Sequence, residues 1–135
     1  MTQRERPLSP HLQVYRFQIT MTMSILHRIT GVVLSVGAFG IVWWLLAVAS
    51  GPEAHAQFMR CATSIPGLVV VFGALFCVVF HFFNGLRHLA WDAGLGFEIP
   101  QLYKSGWTVV ALTAITTVAL WFFALRNLGM IGGAA

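Results

Sequence analysis

The amino-acid sequence predicts an all-α integral membrane protein, a bundle of three transmembrane helices, and three observations carry that expectation. Hydrophobic residues make up 58% of the 135 positions and charged residues 9%, against about a quarter charged in an average soluble domain. Mean hydropathy is +0.79. Three stretches run without a charge, about 24 residues from Arg28 to Glu53, about 26 from Arg60 to Arg87 and about 21 from Lys104 to Arg126, and about 20 apolar residues suffice to cross a bilayer. The breaks between them hold turn-forming residues.

In chain order, residues 1–21 form an N-terminal segment at the inner membrane surface, and helices are expected near 22–49, 65–91 and 106–127 of one membrane domain spanning 1–135. Ser50-Gly51-Pro52 ends the first helix, Ile65-Pro66-Gly67 opens the second, and Gly94-Leu95-Gly96 with Pro100 closes it. No internal repeat or low-complexity tract interrupts this plan.

Orientation follows from the basic residues. With the N-terminus inside, Arg4, Arg6, Arg16, Arg28, Arg87 and Lys104 lie at the inner surface and only Arg60 and Arg126 outside. Topology therefore accounts for the net charge of +4, and no basic patch interleaved with aromatics points to nucleic acid. The leading MTQRERPLSPHLQVYRFQ lacks an apolar signal core and the long Arg/Ser-rich character of a transit peptide. A bacterial inner membrane is expected, and a processed mitochondrial chain is the alternative that a numbering starting at methionine disfavours. Cys61 and Cys77, roughly 24 Å apart if one helix carries both, are expected to pack rather than pair.

The informative residues are polar ones placed at membrane depth. In HFFNGLRHLAWD, His81, Gly85, His88 and Asp92 fall at relative positions 0, 4, 7 and 11, one narrow stripe of a helix. Small residues Cys77, Ala74 and Gly73 continue that stripe, and Phe72, Phe76, Phe80 and Phe83 collect on the opposite side. His81 lies roughly 16 Å along the axis from Asp92, near the bilayer centre. A mid-depth imidazole needs a partner for its nitrogens. Iron ligation beside a flat porphyrin edge is one reading; a hydrogen bond to a neighbouring helix is the other.

The first helix opens with Ser24-Ile25-Leu26-His27-Arg28, followed by Thr30 and Gly31. Ser24, His27 and Arg28 project to adjacent parts of one surface, level with Arg87, His88 and Asp92. Such a cluster offers donors to quinone carbonyls and positive charge to haem propionates. Alternatively, Arg28 snorkels to lipid phosphates and Asp92 pairs with a basic neighbour.

These segments resemble the cytochrome b556 subunit family of succinate dehydrogenase. That family's Arg-Pro, Ser-x-x-His-Arg-x-Ser/Thr and His-x-x-x-Gly-x-Arg-His-x-x-x-Asp elements are matched in order by Arg6-Pro7, by Ser24, His27, Arg28 and Thr30, and by His81, Gly85, Arg87, His88 and Asp92. The third helix carries no diagnostic residue. The resemblance implies half of a heterodimeric membrane anchor, with His81 as axial ligand of a haem b whose second ligand comes from a companion anchor subunit. It places His27 and Arg28, with Gly85 and potentially His88, around the haem, and Ser24 and Arg28 at a ubiquinone headgroup. Arg87, His88 and Asp92 either tune propionates and proton uptake or hold the inner end of the helix. Succinate oxidation then belongs to a flavoprotein subunit, and an iron-sulfur subunit delivers the electrons. This chain has no dinucleotide fingerprint and too few cysteines for a cluster of its own. The rival expectations are a menaquinone-dependent fumarate reductase anchor and, more remotely, a transporter or scaffold.

Overall fold

A computed structural model describes residue 10 and residues 14–131; Arg4, Arg6 and Pro7 lie outside the described residues. Four helices follow one another, α1 (Ile19–Ala49), α2 (Pro52–Ala62), α3 (Ile65–Asp92) and α4 (Ile99–Asn127). Among the described residues, α1, α3 and α4 are long and apolar enough to cross a membrane, and the chain is an all-α membrane protein. Helix α3 is central and packs on both α1 and α4.

Local chemistry explains the boundaries. Ser64 caps α3, its Oγ accepting from the Gly67 amide at 3.2 Å, with Pro66 in the first turn. At the other end Gly94, at φ +79°, closes a Schellman motif in which Gly94 N donates to Trp91 O and Leu95 N to Ala90 O. Gly129, at φ +69°, repeats it after α4 with Arg126 O and Leu125 O.

Four expectations change. Helix α1 begins three residues before 22, since the uncharged Ile19-Thr20-Met21 continues its pattern. Pro100, expected to close the second span, sits in the first turn of α4, which starts seven residues before 106. Proline lacks an N–H that the first turn does not use, so it opens a helix as readily as it ends one. For the same reason Gly51-Pro52 both ends α1 and starts α2, an amphipathic helix where a plain break was expected. Glu53 in its first turn and Arg60 in its last complement the helix dipole, and Phe58 packs edge-on against Trp43 at 4.9 Å. The two cysteines are free, as expected, but they occupy different helices, and Cys61 is exposed rather than packed.

The corner between α2 and α3 depends on Gly67. A Cβ there would run into the main-chain oxygens of Cys61 and Ala62, and main chain cannot step aside as a side chain can. Gly67→Ala is expected to destabilise the protein by about 1–3 kcal/mol, read as a lower thermal midpoint in detergent; an unchanged midpoint would show that the corner relaxes freely.

Met23, Phe80 and Val109, one from each long helix, make the buried core, flanked by Ile19 and Phe83. Of the bulky side of α3 anticipated from sequence, Phe72 meets Trp121 of α4 at 5.1 Å, Phe80 is buried against both α1 and α4, and Phe76 stays exposed. On α4 the buried residues Gly106, Val109, Thr113 and Thr117 form one helical stripe. A Cβ on Gly106 would stand 3.2 Å from Ile19 Cδ1, so the missing side chain lets α4 approach α1. Elsewhere large apolar side chains such as Val36, Phe39, Val70, Ile115 and Val118 face outward, where lipid or partner helices replace a core.

Candidate functional site, a histidine stack between α1 and α3

Two helices supply three imidazoles to one seam. His27 of α1 stacks on His81 of α3 with centroids 3.8 Å apart and planes 12° from parallel, and its other side faces His88 at 4.8 Å and 16°. Helical spacing explains the order. His81 and His88 are two turns apart on one face, about 10 Å of rise, leaving a slot that a ring from α1 fills. The stripe expected from sequence therefore points at α1, and His27 closes the gap within it.

Each imidazole has a different partner. His81 Nδ1 lies 3.1 Å from Thr30 Oγ1, and Thr30 is only 3% exposed. His88 Nδ1 donates to the Asn84 carbonyl at 2.8 Å, because a carbonyl oxygen can only accept. His27 Nδ1 is buried with no hydrogen-bond partner. Stacked face to face, the three rings do not converge on a point, and no cluster of three His, Cys, Asp or Glu among the described residues could hold a metal ion. A metal ligated here needs most of its coordination from elsewhere.

Glycines keep the seam narrow. A Cβ on Gly31 would stand 3.2 Å from His81 Cε1, and one on Gly85 3.9 Å from His27 Cε1. At Gly37, Gly40 and Gly73 such a Cβ would meet nothing within 4 Å. These features fit a porphyrin edge: an imidazole within an apolar span, an unpaired buried ring nitrogen beside it, and Gly31 and Gly85 leaving bare main chain against the rings.

The remaining predicted residues divide into two sets. Ser24 is half-buried and Arg28 exposed, one turn apart on α1, so their polar groups sit at the edge of the bundle rather than inside it. Asp92 is exposed at the end of α3. Arg87 is separate: only 5% exposed, it turns toward α4, where Nε donates to Ser105 Oγ at 2.9 Å and one terminal nitrogen to Leu102 O at 3.0 Å. Its guanidinium lies 4.2 Å over the Trp91 ring. Arg87 thus ties α3 to α4, while His88 faces α1.

Sequence reasoning passed over two buried participants. Thr30 stood in the motif with no role, and its contact with His81 spans 51 positions, a separation that no local pattern reveals. Asn84, fully buried, falls beside the His81 stripe rather than on it; its amide reaches Met23 O at 3.5 Å. A second polar residue within an apolar span was the available signal.

Comparison with known proteins identifies the family. The sequence model of the family described as "Succinate dehydrogenase/Fumarate reductase transmembrane subunit" matches residues 2–120. The chain is 42% identical over 117 residues to a succinate dehydrogenase cytochrome b556 subunit of Rickettsia felis, covering 87% of this chain and 91% of that protein. With the protein of the same name from Paracoccus denitrificans it shares 41% over 120 residues, covering 87% and 92%. It shares 43% over 119 residues with the mitochondrial cytochrome b560 subunit of Sus scrofa, covering 85% of this chain and 69% of that one. The family match covers α1 and α3 entirely, with both histidine-bearing segments, and α4 as far as residue 120, and the chain belongs to the succinate dehydrogenase/fumarate reductase transmembrane subunit family.

Proposed function

We propose that this chain is the haem b- and quinone-binding membrane anchor subunit of a succinate:quinone oxidoreductase, which helps pass electrons from an iron-sulfur subunit to ubiquinone. The feature that carries the reading is His81, at the middle of an apolar span and stacked on His27 in a seam where Gly31 and Gly85 bring main chain close to the rings. His81 would hold the haem iron in this reading. The other protein ligand would come from a companion anchor subunit, since His55, the one other histidine of the described helices outside the stack, lies on α2 beyond the far end of α1. His27, Arg28 and Gly85 surround the group, and His88 stands one ring further toward the inner surface. When bound, haem b supplies a one-electron store.

Ser24 and Arg28 orient the quinone. Quinone reduction takes two electrons and two protons, so negative charge develops on the carbonyl oxygens, and a hydroxyl and a guanidinium one turn apart offer donors where that charge appears. Both lie at the bundle edge, where a further subunit closes the site. A flavoprotein subunit oxidises succinate and the iron-sulfur subunit passes the electrons on. The Lys/Arg bias supports a cytoplasmic N-terminus, and the bacterial relatives from Rickettsia felis and Paracoccus denitrificans support a bacterial inner membrane. The relatives named above are succinate dehydrogenase subunits, which favours succinate oxidation over a menaquinone-dependent fumarate reductase.

The test is affinity purification of the tagged chain in mild detergent from cells expressing it with its partner subunits. Flavin and iron-sulfur subunits should co-purify with a red membrane protein, and the reduced-minus-oxidised spectrum should show a low-spin b-type haem. A colourless preparation, or one without those partners, would refute the assignment.

A further inference from the structure

Resting on the haem reading above, we infer that Thr30 is the positioning residue of the iron ligand: it accepts the Nδ1–H of His81 and so holds the imidazole as the tautomer whose Nε2 carries the bare lone pair. The inference follows from counting protons. A threonine hydroxyl has one proton and two lone pairs. Thr30 Oγ1 lies 2.9 Å from Leu26 O and 3.0 Å from His27 O, and carbonyl oxygens can only accept, so the proton is directed to them. What Oγ1 turns to His81 Nδ1, at 3.1 Å, is a lone pair. The ring nitrogen must then bring the hydrogen. A neutral imidazole with its proton on Nδ1 has only Nε2 free to bind a metal.

The surroundings hold that choice. Thr30 is 3% exposed, so bulk water does not compete for its lone pair. Gly31, the next residue, leaves 3.2 Å between its missing Cβ and His81 Cε1, and His27 covers one face of the ring at 3.8 Å. The ring is thus bounded by a hydroxyl at Nδ1, a bare main chain near Cε1 and an imidazole on one face. A hydrogen bond at the remote nitrogen raises the basicity of an axial imidazole. Greater basicity favours the ferric over the ferrous state, so Thr30 also lowers the reduction potential of the haem.

The experiment compares the whole complex carrying Thr30→Val, which keeps the shape and removes the hydroxyl, with Thr30→Ser, which keeps the hydroxyl. Thr30→Val should raise the haem reduction potential, change the low-spin electron paramagnetic resonance signal, and release haem to excess apomyoglobin about 10- to 100-fold more readily. Thr30→Ser should match wild type in all three. Should Thr30→Val fail to assemble, the wild-type complex carries the reading, because the quadrupole coupling of the remote His81 nitrogen reports whether its N–H is hydrogen-bonded. A coupling typical of a free imidazole N–H, or a Thr30→Val complex with wild-type potential and resonance, would overturn the role of Thr30 alone. A wild-type complex without haem, or one whose bis-imidazole haem survives loss of His81, would overturn both this role and the haem assignment.

Discussion

Substitution of His81 by methionine should remove the bis-imidazole b-type haem from the purified complex. In the proposed reading His81 would supply the metal bond, and no other described histidine of this chain is placed to replace it, since His27 is already stacked against His81 and His88 lies two turns away on α3. Thioether sulfur can ligate haem iron, but a Met/His pair has a higher reduction potential than a bis-imidazole pair. The expected result is therefore either loss of haem or a haem with an altered spectrum and raised potential. Low-spin bis-imidazole resonances unchanged from wild type would remove His81 as the ligand. Because a helix-to-helix hydrogen bond to Thr30 is lost as well, assembly should be followed by subunit stoichiometry, so that a missing haem is not confused with a missing subunit.

The second large effect falls on the quinone. Arg28→Leu should lower succinate:quinone reductase activity by about 10²- to 10³-fold, the range seen when a donor to a developing oxyanion is removed, and Ser24→Ala by up to about 10²-fold. Succinate oxidation with an artificial acceptor should stay near wild type, because that reaction ends before the membrane subunit. The informative quantity is the ratio of the two activities in one preparation. Equal wild-type rates with both acceptors would place the quinone elsewhere. A parallel fall in both would indicate a poorly assembled complex. Neither side chain belongs to the buried core, so these variants should assemble.

Much of this was legible in the chain because a bilayer imposes strict rules on sequence. Three uncharged runs dictate three crossing helices, since backbone polar groups in hydrocarbon must be satisfied within the helix. Histidine positions 81 and 88 are two turns apart, so their shared face follows from helical geometry alone. The same reasoning succeeded less well at the ends, where Pro52 and Pro100 open helices that they were expected to border. A proline restricts the residue before it and the turn behind it, but it does not declare on which side the helix lies.

Arg87 and His88 show the limit most clearly. Adjacent in sequence and similar in polarity, they were grouped as one inner cluster with two open roles. A helix turns about 100° per residue, and here that rotation sends Arg87 to Ser105 and Leu102 of α4 while His88 faces His27 of α1.

By itself the sequence determined the solvent, the number of crossings and the face of α3 that carries the histidines, because each follows from composition or from the fixed pitch of one helix. Only the tertiary structure decided which ring of α1 enters the slot between His81 and His88, that Thr30 meets His81 across 51 positions, and that Arg87 belongs to a different seam. Those outcomes depend on the relative register and rotation of helices, which side-chain packing between them sets and no single helix encodes.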